Sequence, residues 1–348
     1  MHYIITNRKV EGNPEHINWS NKEEARKEIR FATYKDGAIT FLPDIAEDDK
    51  SFVSYLEPSP KDQQKGSIAF FNGLYEEIKS ASAKKKDTLI FVHGYKNNEK
   101  KLHDSIATMN QLFVKNPGCS IGRIVYLAWP SNGRLLEYRD DAEDAERSGV
   151  TFGAAYLKLL KFFRENIYSH LRSDHTCTVE DVLCGGNLHL MCHSMGNRVL
   201  EKMIETINIK YPNDISPVFK EIILTGADID YTTLEFPNPL HKLIDYCERV
   251  TVLFHRNDNA LKISSTTKNP FKRLGNFGPR DVKNIGQTVA CIDVTKYKTK
   301  GFDDNLINHW YHFNSPQVVD LLRDIFNGES RSKSDKVEVD RNNIYHLK

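Results

Sequence analysis

The stretch NLHLMCHSMGNRVL, from Asn187 to Leu200, places a serine between a strand pattern and a helix pattern. Its first residues are mostly apolar and predict a buried strand, and residues 197–209 follow a helical period. Ser194 is then either an ordinary turn residue or the tip of a nucleophile elbow, a sharp turn that exposes a hydroxyl above the end of a sheet. A lone Ser-x-Gly after a strand is a weak signal, so the choice between the two depends on the rest of the chain.

The overall composition is that of an ordinary globular protein. The 348 residues include 48 Lys and Arg against 47 Asp and Glu, a formal net charge of +1 that gives no bulk electrostatic reason to expect a nucleic-acid partner. No run approaches the roughly 18 apolar residues of a transmembrane segment, and the first residues lack the pattern of a signal peptide. Six cysteines without a C-x-x-C pair favour reduced thiols over disulfides. These features predict a cytoplasmic protein.

The order of the predicted elements indicates the fold class. Short strands are predicted at residues 2–6, 30–34 and 38–42, the last two joined by the turn Lys35-Asp36-Gly37. Further along, apolar strand patterns alternate with helices predicted at residues 67–85, 99–114, 135–148, 152–171, 197–209 and 315–326. This alternation is typical of an α/β protein with a mainly parallel central sheet and helices on both faces. We expect N-terminal strands and a loop integrated with the main sheet over residues 1–65, a catalytic domain over 66–326 and a polar C-terminal tail over 327–348.

The predicted parallel strands are followed by residues that can carry chemistry. His93-Gly94-Tyr95 follows one strand, Ser194 follows the next, Asp258 follows a third, and His309 precedes the last helix. The carboxyl ends of parallel strands lie at one edge of a sheet, where ligands bind. The chain order serine, aspartate, histidine is the order that α/β-hydrolases use, whereas other serine hydrolase folds order these residues differently. The combined pattern favours a catalytic Ser194.

The roles of these side chains follow from their chemistry. A serine hydroxyl needs a base to accept its proton near neutral pH, and an imidazole base needs a carboxylate to orient it. We therefore predict Ser194 as the nucleophile, His309 as the base and Asp258 as the acid. Asp228 and Asp230, at the end of the preceding strand, are the alternative acids.

The oxyanion needs two backbone N–H donors. Met195, at the start of the helix after the nucleophile, is one candidate, and Tyr95 is the other. Gly94 lets the chain turn close to the substrate. His93 is expected to tie this loop down with its side chain. Trp129 is expected to line the substrate pocket, to lie in the core or to face a lid.

Three further residues are candidates for the substrate pocket: His193, Arg273 and His312, which is also the alternative base. Arg273 lies in the loop 262–289, which lacks strong periodicity and could cover the pocket as a small lid. An arginine there would pair with a substrate phosphate or carboxylate, and the alternative is a plain surface arginine.

No metal ion or organic cofactor is predicted. The pairs His189/His193 and His309/His312 have spacings that a metal site can use, but no carboxylate or thiolate completes a ligand pattern with them. The chain also contains no GxGxxG or GxxxxGK[ST] motif for a nucleotide.

Several motifs in the same region carry a family resemblance: FVHGYKNN, YLAWPSNG, HLMCHSMGNRVL, TGADID, RNDNALKIS, RLGNFGP and NHWY. In these motifs, and in the N-terminal IITNRK, the chain resembles α/β-hydrolase-fold proteins of the bacterial domain-of-unknown-function 900 family. The resemblance implies an α/β-hydrolase fold and supports the choice of Asp258 and His309. One position departs from the elbow pattern Gly-x-Ser-x-Gly, because Cys192 stands at the first glycine. We expect this small side chain to point inward.

The expected activity is hydrolysis of a carboxylic ester through an acyl-enzyme, with a small-molecule or lipid acyl substrate. Two alternatives remain. The same triad could act on amides, thioesters or in acyl transfer, or the chain could be a non-catalytic binding protein on a hydrolase fold.

Overall fold

The computed structural model describes residues 1–20, 25–43, 66–131, 138–170, 179–262, 271–297, 299, 308–329, 336–340 and 344–347. Its strands in chain order are β1 (His2–Thr6), β2 (Val10–Glu11), β3 (His16–Ile17), β4 (Arg30–Lys35), β5 (Ala38–Phe41), β6 (Asp87–Val92), β7 (Ile121–Ala128), β8 (Leu188–His193), β9 (Phe219–Thr225), β10 (Cys247–Phe254), β11 (Val289–Asp293), β12 (Val337–Val339) and β13 (Tyr345–Leu347). Its α-helices are α1 (Gly66–Ser80), α2 (Glu99–Met109), α3 (Tyr138–His170), α4 (Val179–Val182), α5 (Gly196–Lys210), α6 (Leu274–Phe277), α7 (Tyr311–Asn314) and α8 (Pro316–Phe326).

Eleven of these strands form one sheet, in the order β12-β13-β11-β10-β9-β8-β6-β7-β1-β4-β5. The eight strands from β13 to β1 are parallel, and antiparallel pairs occur at both edges. Helices α1, α3 and α5 cover one face, and α2 and α8 cover the other. Because helices bury both faces, apolar residues predominate in the central strands. The predicted fold class is confirmed.

The predicted N-terminal hairpin is also confirmed. β4 and β5 pair antiparallel around Asp36 and Gly37, whose φ angles are 51° and 85°. Two consecutive residues with positive φ are typical of the tight hairpin turn that matches strand twist. β1 connects this hairpin to the parallel part of the sheet, since it pairs with β4 on one side and with β7 on the other. The predicted loop after the hairpin falls largely at 44–65, outside the described residues.

One prediction about the helices is wrong. The two helices predicted at 135–148 and 152–171 are a single helix, α3, although residues 132–137 lie outside the described part. Gly149 does not break the helix but lets it approach α5, because a Cβ there would lie 2.5 Å from the Val199 carbonyl oxygen and 2.7 Å from the Lys202 Cβ. A second helix is shorter than predicted: α1 ends at Ser80, and a separate 3₁₀ turn covers Ala83–Lys85.

The C-terminal tail is more ordered than its polar composition predicts. β12 and β13 lie within residues 327–348, and β13 extends the sheet by pairing parallel with β11. The apolar residues Val337 and Leu347 are buried and anchor this edge. No helix among the described residues has the length and apolar run that a membrane crossing requires.

Candidate active site

Ser194 lies at a strand-to-helix turn between β8 and α5 and has a φ of 53°. A non-glycine residue in the left-handed region costs about 1–3 kcal/mol and persists only where its surroundings fix it. Here the Ser194 N–H donates to the Thr225 carbonyl at 3.0 Å, and the Ser194 carbonyl accepts from the Asp228 N–H at 3.2 Å. The buried Asn197 side chain donates to the Ser194 carbonyl at 2.9 Å and to the Cys192 carbonyl at 3.2 Å. The turn therefore has the geometry of a nucleophile elbow.

The elbow packs so closely that two neighbouring positions require glycine. A Cβ on Gly196 would lie 2.6 Å from the carbonyl oxygens of both Val92 and His93. A Cβ on Gly94 would lie 2.7 Å from the Cβ of Ser194. Both distances are shorter than real Cβ contacts allow, so these glycines set how near the β6 loop comes to the serine.

Cys192, at the first glycine position of the elbow pattern, is fully buried. Burial raises the pKa of its thiol. A buried, protonated thiol is a small apolar side chain and a poor nucleophile. The expectation that Cys192 points inward is confirmed.

His309 and Asp258 form a short, buried pair. The His309 Nδ1 lies 2.6 Å from Asp258 Oδ2, and the carboxylate is completely shielded from solvent. The Leu261 N–H donates to the other carboxylate oxygen at 3.1 Å, and the Asn276 side chain donates to the Asp258 carbonyl at 3.0 Å. Because a carboxylate accepts at Nδ1, the Nδ1 atom carries the proton and Nε2 is left as the acceptor.

The end of β9 joins this pair to the elbow. Gly226 has a φ of 48°, and a Cβ there would lie 3.3 Å from His309 Cε1 and 3.5 Å from Asp258 Oδ2. Gly226 follows Thr225, whose carbonyl accepts the N–H of Ser194. The structure thus places the three predicted triad residues around one strand end.

A buried tyrosine holds that strand end in place. The Tyr311 hydroxyl donates to the Leu253 carbonyl at 2.8 Å and accepts the Gly226 N–H at 2.6 Å. It therefore links the ends of β9 and β10 directly beside His309.

The two alternative acids have other partners. Asp228 lies 3.0 Å from the Nε of Arg273 and 3.7 Å from the Nε of Arg198. Asp230 accepts from the N–H and the hydroxyl of Thr232 at 2.8 and 2.6 Å, as a turn-forming aspartate does. These contacts favour Asp258 as the acid.

The interpretation of Arg273 as a surface arginine is wrong, because the side chain is only 2% exposed and its Nε lies 3.0 Å from Asp228. Its pairing with a substrate group stays a prediction. Residues 274–276 of α6 are buried, and the Gly275 carbonyl accepts the His255 N–H at 2.9 Å, beneath the loop that carries Asp258. The described part of the loop 262–289 therefore packs against the loop that carries Asp258. Residues 263–270 lie outside the described residues, so the predicted lid stays a prediction.

His93 ties two strand ends together, as the sequence predicts. Its Nδ1 donates to the Gly94 carbonyl at 2.8 Å, and its Nε2 accepts the Trp129 N–H at 3.1 Å. The indole stacks on the imidazole with ring centroids 5.1 Å apart and donates to the His93 carbonyl at 2.8 Å. Burial lowers the pKa of His93 to about 3, so the ring is neutral. Trp129 is fully buried and belongs to the core on the α1, α3 and α5 side of the sheet.

His193 and His312 are neutral rings that lie next to His309. The His193 Nε2 donates to the His309 carbonyl at 3.3 Å, and its ring centroid lies 4.6 Å from that of His309 and 4.4 Å from that of His312. Burial is the main reason that the pKa values of His193 and His312 are well below the ordinary value, and the neighbouring histidines lower them further. His312 is fully buried beside Phe91 and Phe313, which suits a packing residue better than a base.

Sequence reasoning missed several residues that build this site, namely Asn197, Gly226, Asn276 as a support for the acid, and Tyr311. Their role is to hold backbone carbonyl and N–H groups, and a role of that kind has no motif of its own. Only Gly226 left a signal, since a glycine directly after an apolar strand marks a sharp turn. No group of three or more His, Cys, Asp or Glu side chains in the described part of the chain has a metal-binding arrangement.

A family comparison agrees with this geometry. The model of the family described as "Alpha/beta hydrolase of unknown function (DUF900)" matches residues 72–166 and 178–325. The chain belongs to this family. The match covers the elbow, the acid loop and the histidine, so this α/β hydrolase has all of its candidate triad inside the family's common core. No curated protein matches the chain.

Proposed function

We propose that this α/β hydrolase is a serine hydrolase that cleaves carboxylic esters through an acyl-enzyme. The observation that carries the proposal is the short, buried contact between His309 and Asp258, next to a serine held in the left-handed region. A structural turn serine would need neither feature. The contact with a carboxylate is expected of a base that must accept a proton, and the left-handed turn is expected of a nucleophile presented above the sheet.

In the first step, the Ser194 Oγ attacks the ester carbonyl carbon while the Nε2 of His309 takes the hydroxyl proton. The new C–O bond forms as the carbonyl electron pair moves to its oxygen. Asp258 stays ionised and stabilises the imidazolium through the Nδ1 proton.

The oxyanion is held by the backbone N–H groups of Met195 and Tyr95 in this proposal. Met195 lies at the first turn of α5, where N–H groups have no carbonyl one turn earlier and the helix dipole favours negative charge. Tyr95 follows Gly94, the residue that brings the β6 loop against Ser194. Each such donor contributes roughly 10²–10³-fold in turnover.

The intermediate then collapses, the bond to the alcohol oxygen breaks, and His309 gives its proton to the leaving alkoxide. A water molecule attacks the acyl-enzyme while His309 takes a proton from it. Breakdown of the second intermediate releases the acid and returns the proton to Ser194.

The neutral histidines around the base support this cycle. A charged neighbour would repel the imidazolium form of His309 and make it a weaker base. Burial keeps His193 and His312 uncharged near neutral pH, so the charge that develops on His309 is stabilised by Asp258.

Labelling with a fluorophosphonate, read by intact mass, tests the nucleophile. We expect one adduct on the wild type and none on Ser194→Ala. Ser105→Ala is the matched control, because Ser105 is 7% exposed against 6% for Ser194 and lies on α2, away from the elbow. It should label like the wild type. An adduct that survives in Ser194→Ala, or a folded wild type that takes no label, contradicts the proposal, and the second result favours a binding protein.

The bond that is cleaved is tested by a panel of p-nitrophenyl esters, thioesters and p-nitroanilides. An alcohol is a better leaving group than an amine, so the ester should react faster than the anilide. Faster turnover of thioesters or anilides would keep the triad and change the substrate class.

A further inference from the structure

Two lysines lie on the surface next to the candidate active site. Lys96 directly follows Tyr95 on the loop after β6, and Lys101 lies in the first turn of α2. Lys96 is exposed and Lys101 is partly exposed, so solvent and solutes can reach both side chains. The Nζ of Lys101 lies 5.9 Å from the ring centroid of Trp310, the residue after His309.

Trp310 connects Lys101 to the residues of the triad. Its ring is partly exposed, and its centroid lies 4.5 Å from that of His193 and 6.5 Å from that of His309. Burial is the main reason that the pKa of His193 is low, and the positive charge of Lys101 lowers it further. Because His193 directly precedes Ser194, the charge of Lys101 acts on the elbow itself.

The backbone at Lys96 is held in an unfavourable conformation. Its φ is 60°, and its N–H donates to the Ser131 Oγ at 2.7 Å. A non-glycine residue in the left-handed region persists only where its surroundings fix it, and such residues concentrate at functional sites. This conformation fixes a lysine directly after Tyr95, the proposed oxyanion donor.

Neither lysine has an acidic partner in the described part of the chain. No carboxylate oxygen there lies within 4.0 Å of the ammonium of Lys96 or Lys101, whereas Lys100 pairs with Asp104 at 2.5 Å. Burial, and then the charge of Lys96, lower the pKa of Lys101. The contact with the Trp310 ring stabilises the cation but does not neutralise it. A partly desolvated cation beside a like charge is unfavourable, and an anion bound there would offset this.

We propose that Lys96 and Lys101 bind a negatively charged group of the ester substrate, either a carboxylate or a phosphate. The inference rests on the proposed hydrolase function and specifies its substrate class: the scissile carbonyl lies at Ser194, and the charged group extends past Trp310 to the two ammonium groups. Lysine binds carboxylate and phosphate oxygens as a point charge. A hydrogen bond between charged groups contributes roughly tenfold to a hundredfold in affinity.

The test measures binding without turnover. Three esters are titrated into the Ser194→Ala variant and followed by ligand-observed NMR: monomethyl adipate, with the charge on the acid side, 2-acetoxyethyl phosphate, with the charge on the alcohol side, and neutral methyl hexanoate. Adding Lys101→Gln should weaken binding of at least one charged ester tenfold or more and leave methyl hexanoate unchanged. The ester that loses affinity identifies the side that carries the charge. If neither charged ester binds, or if both bind equally well with and without Lys101→Gln, the proposal is overturned.

Two further variants show whether the position of the charge matters. Lys100→Gln removes the neighbouring charge, on a side chain that is 81% exposed and paired with Asp104, and should leave all three affinities unchanged. Lys101→Arg keeps the charge and should retain most of the affinity for the charged ester. An equal loss in Lys100→Gln and Lys101→Gln would indicate only the general charge of this surface and would overturn the proposal.

The two proposals fail in different ways. Fluorophosphonate labelling of Ser194, in a protein whose binding of charged esters does not depend on Lys101, would support the hydrolase and overturn the anion site. Binding of a charged ester that Lys101→Gln abolishes, in a protein that takes no label, would support the anion site and overturn the hydrolase.

Discussion

Tyr311→Phe should destabilise the protein and disturb the site together. The substitution keeps the ring but removes the hydroxyl that accepts the Gly226 N–H at 2.6 Å and donates to the Leu253 carbonyl at 2.8 Å. Tyr311 is fully buried, so water cannot easily replace the hydroxyl. An orphaned buried N–H costs about 1–3 kcal/mol and the lost bond to the carbonyl about 1 kcal/mol, so we expect the free energy of unfolding to fall by about 2–4 kcal/mol.

Urea unfolding measures this loss. With an m-value of about 3 kcal/mol per M, the midpoint should fall by about 1 M at unchanged slope. The rate of fluorophosphonate labelling should fall at least tenfold, because Gly226 abuts His309 and a displacement of about 1 Å costs catalysis about 10²-fold.

The control is Tyr297→Phe, which removes the hydroxyl of a partly exposed tyrosine on the loop after β11 and should change neither quantity. A loss of stability below about 0.5 kcal/mol in Tyr311→Phe would refute the view that this hydroxyl holds the two strand ends together.

Three further outcomes are expected. Asp258→Asn should lower turnover about 10⁴-fold through the wrong tautomer of His309, and a loss of tenfold or less in steady-state assays would exclude Asp258 as the acid. Gly196→Ala should lower the free energy of unfolding in urea by about 1–3 kcal/mol, because the added Cβ meets two carbonyl oxygens at 2.6 Å. Gly73→Ala should be neutral or stabilising, because among the described residues the nearest atom to its Cβ is the Tyr3 hydroxyl at 3.8 Å. Burial lowers the pKa of His93 from 6.5 to about 3, so below pH 6.5 the unfolded chain binds a proton that the folded chain does not. The stability should therefore decrease from pH 6.5 toward pH 3, by up to about 1.4 kcal/mol per pH unit for this residue, and unfolding curves that do not change between about pH 7 and pH 5 would contradict this.

The sequence was sufficient for the fold because the strands are apolar on both faces. Patterns such as TLIFV at 88–92 indicate strands buried under helices, and the alternation with helices then leaves few arrangements other than a parallel sheet. The errors occurred where packing overrides local pattern. Gly149 resembles a helix break in sequence, but in the structure it allows α3 and α5 to approach closely. The tail appeared polar because β13 contributes only three residues to the sheet.

The site residues whose side chains imply a reaction could be predicted from the sequence. The residues that hold backbone N–H and carbonyl groups in place could not. Serine, aspartate and histidine at strand ends carry their chemistry in their side chains. Arg273 shows the limit of this reasoning. An arginine in an aperiodic loop gives no indication of the buried carboxylate of Asp228, 3.0 Å from its Nε, which only the tertiary structure brings near.

The supports around Ser194 bear on whether it is an incidental turn residue. A left-handed serine breaks a local rule, and such violations persist at functional sites where other contacts offset them. Here the strain is offset by the buried side chain of Asn197, which donates to the carbonyls of Cys192 and Ser194. Close packing around Gly94 and Gly196 adds to this, since any larger residue at either position would clash. An asparagine or glycine at position 194 would relieve the strain, and no packing contact among the described residues requires a hydroxyl there. The proposed function accounts for the serine through the imidazole of His309, which adjoins the same end of β9. It requires that Ser194→Gly lose labelling with equal or greater stability.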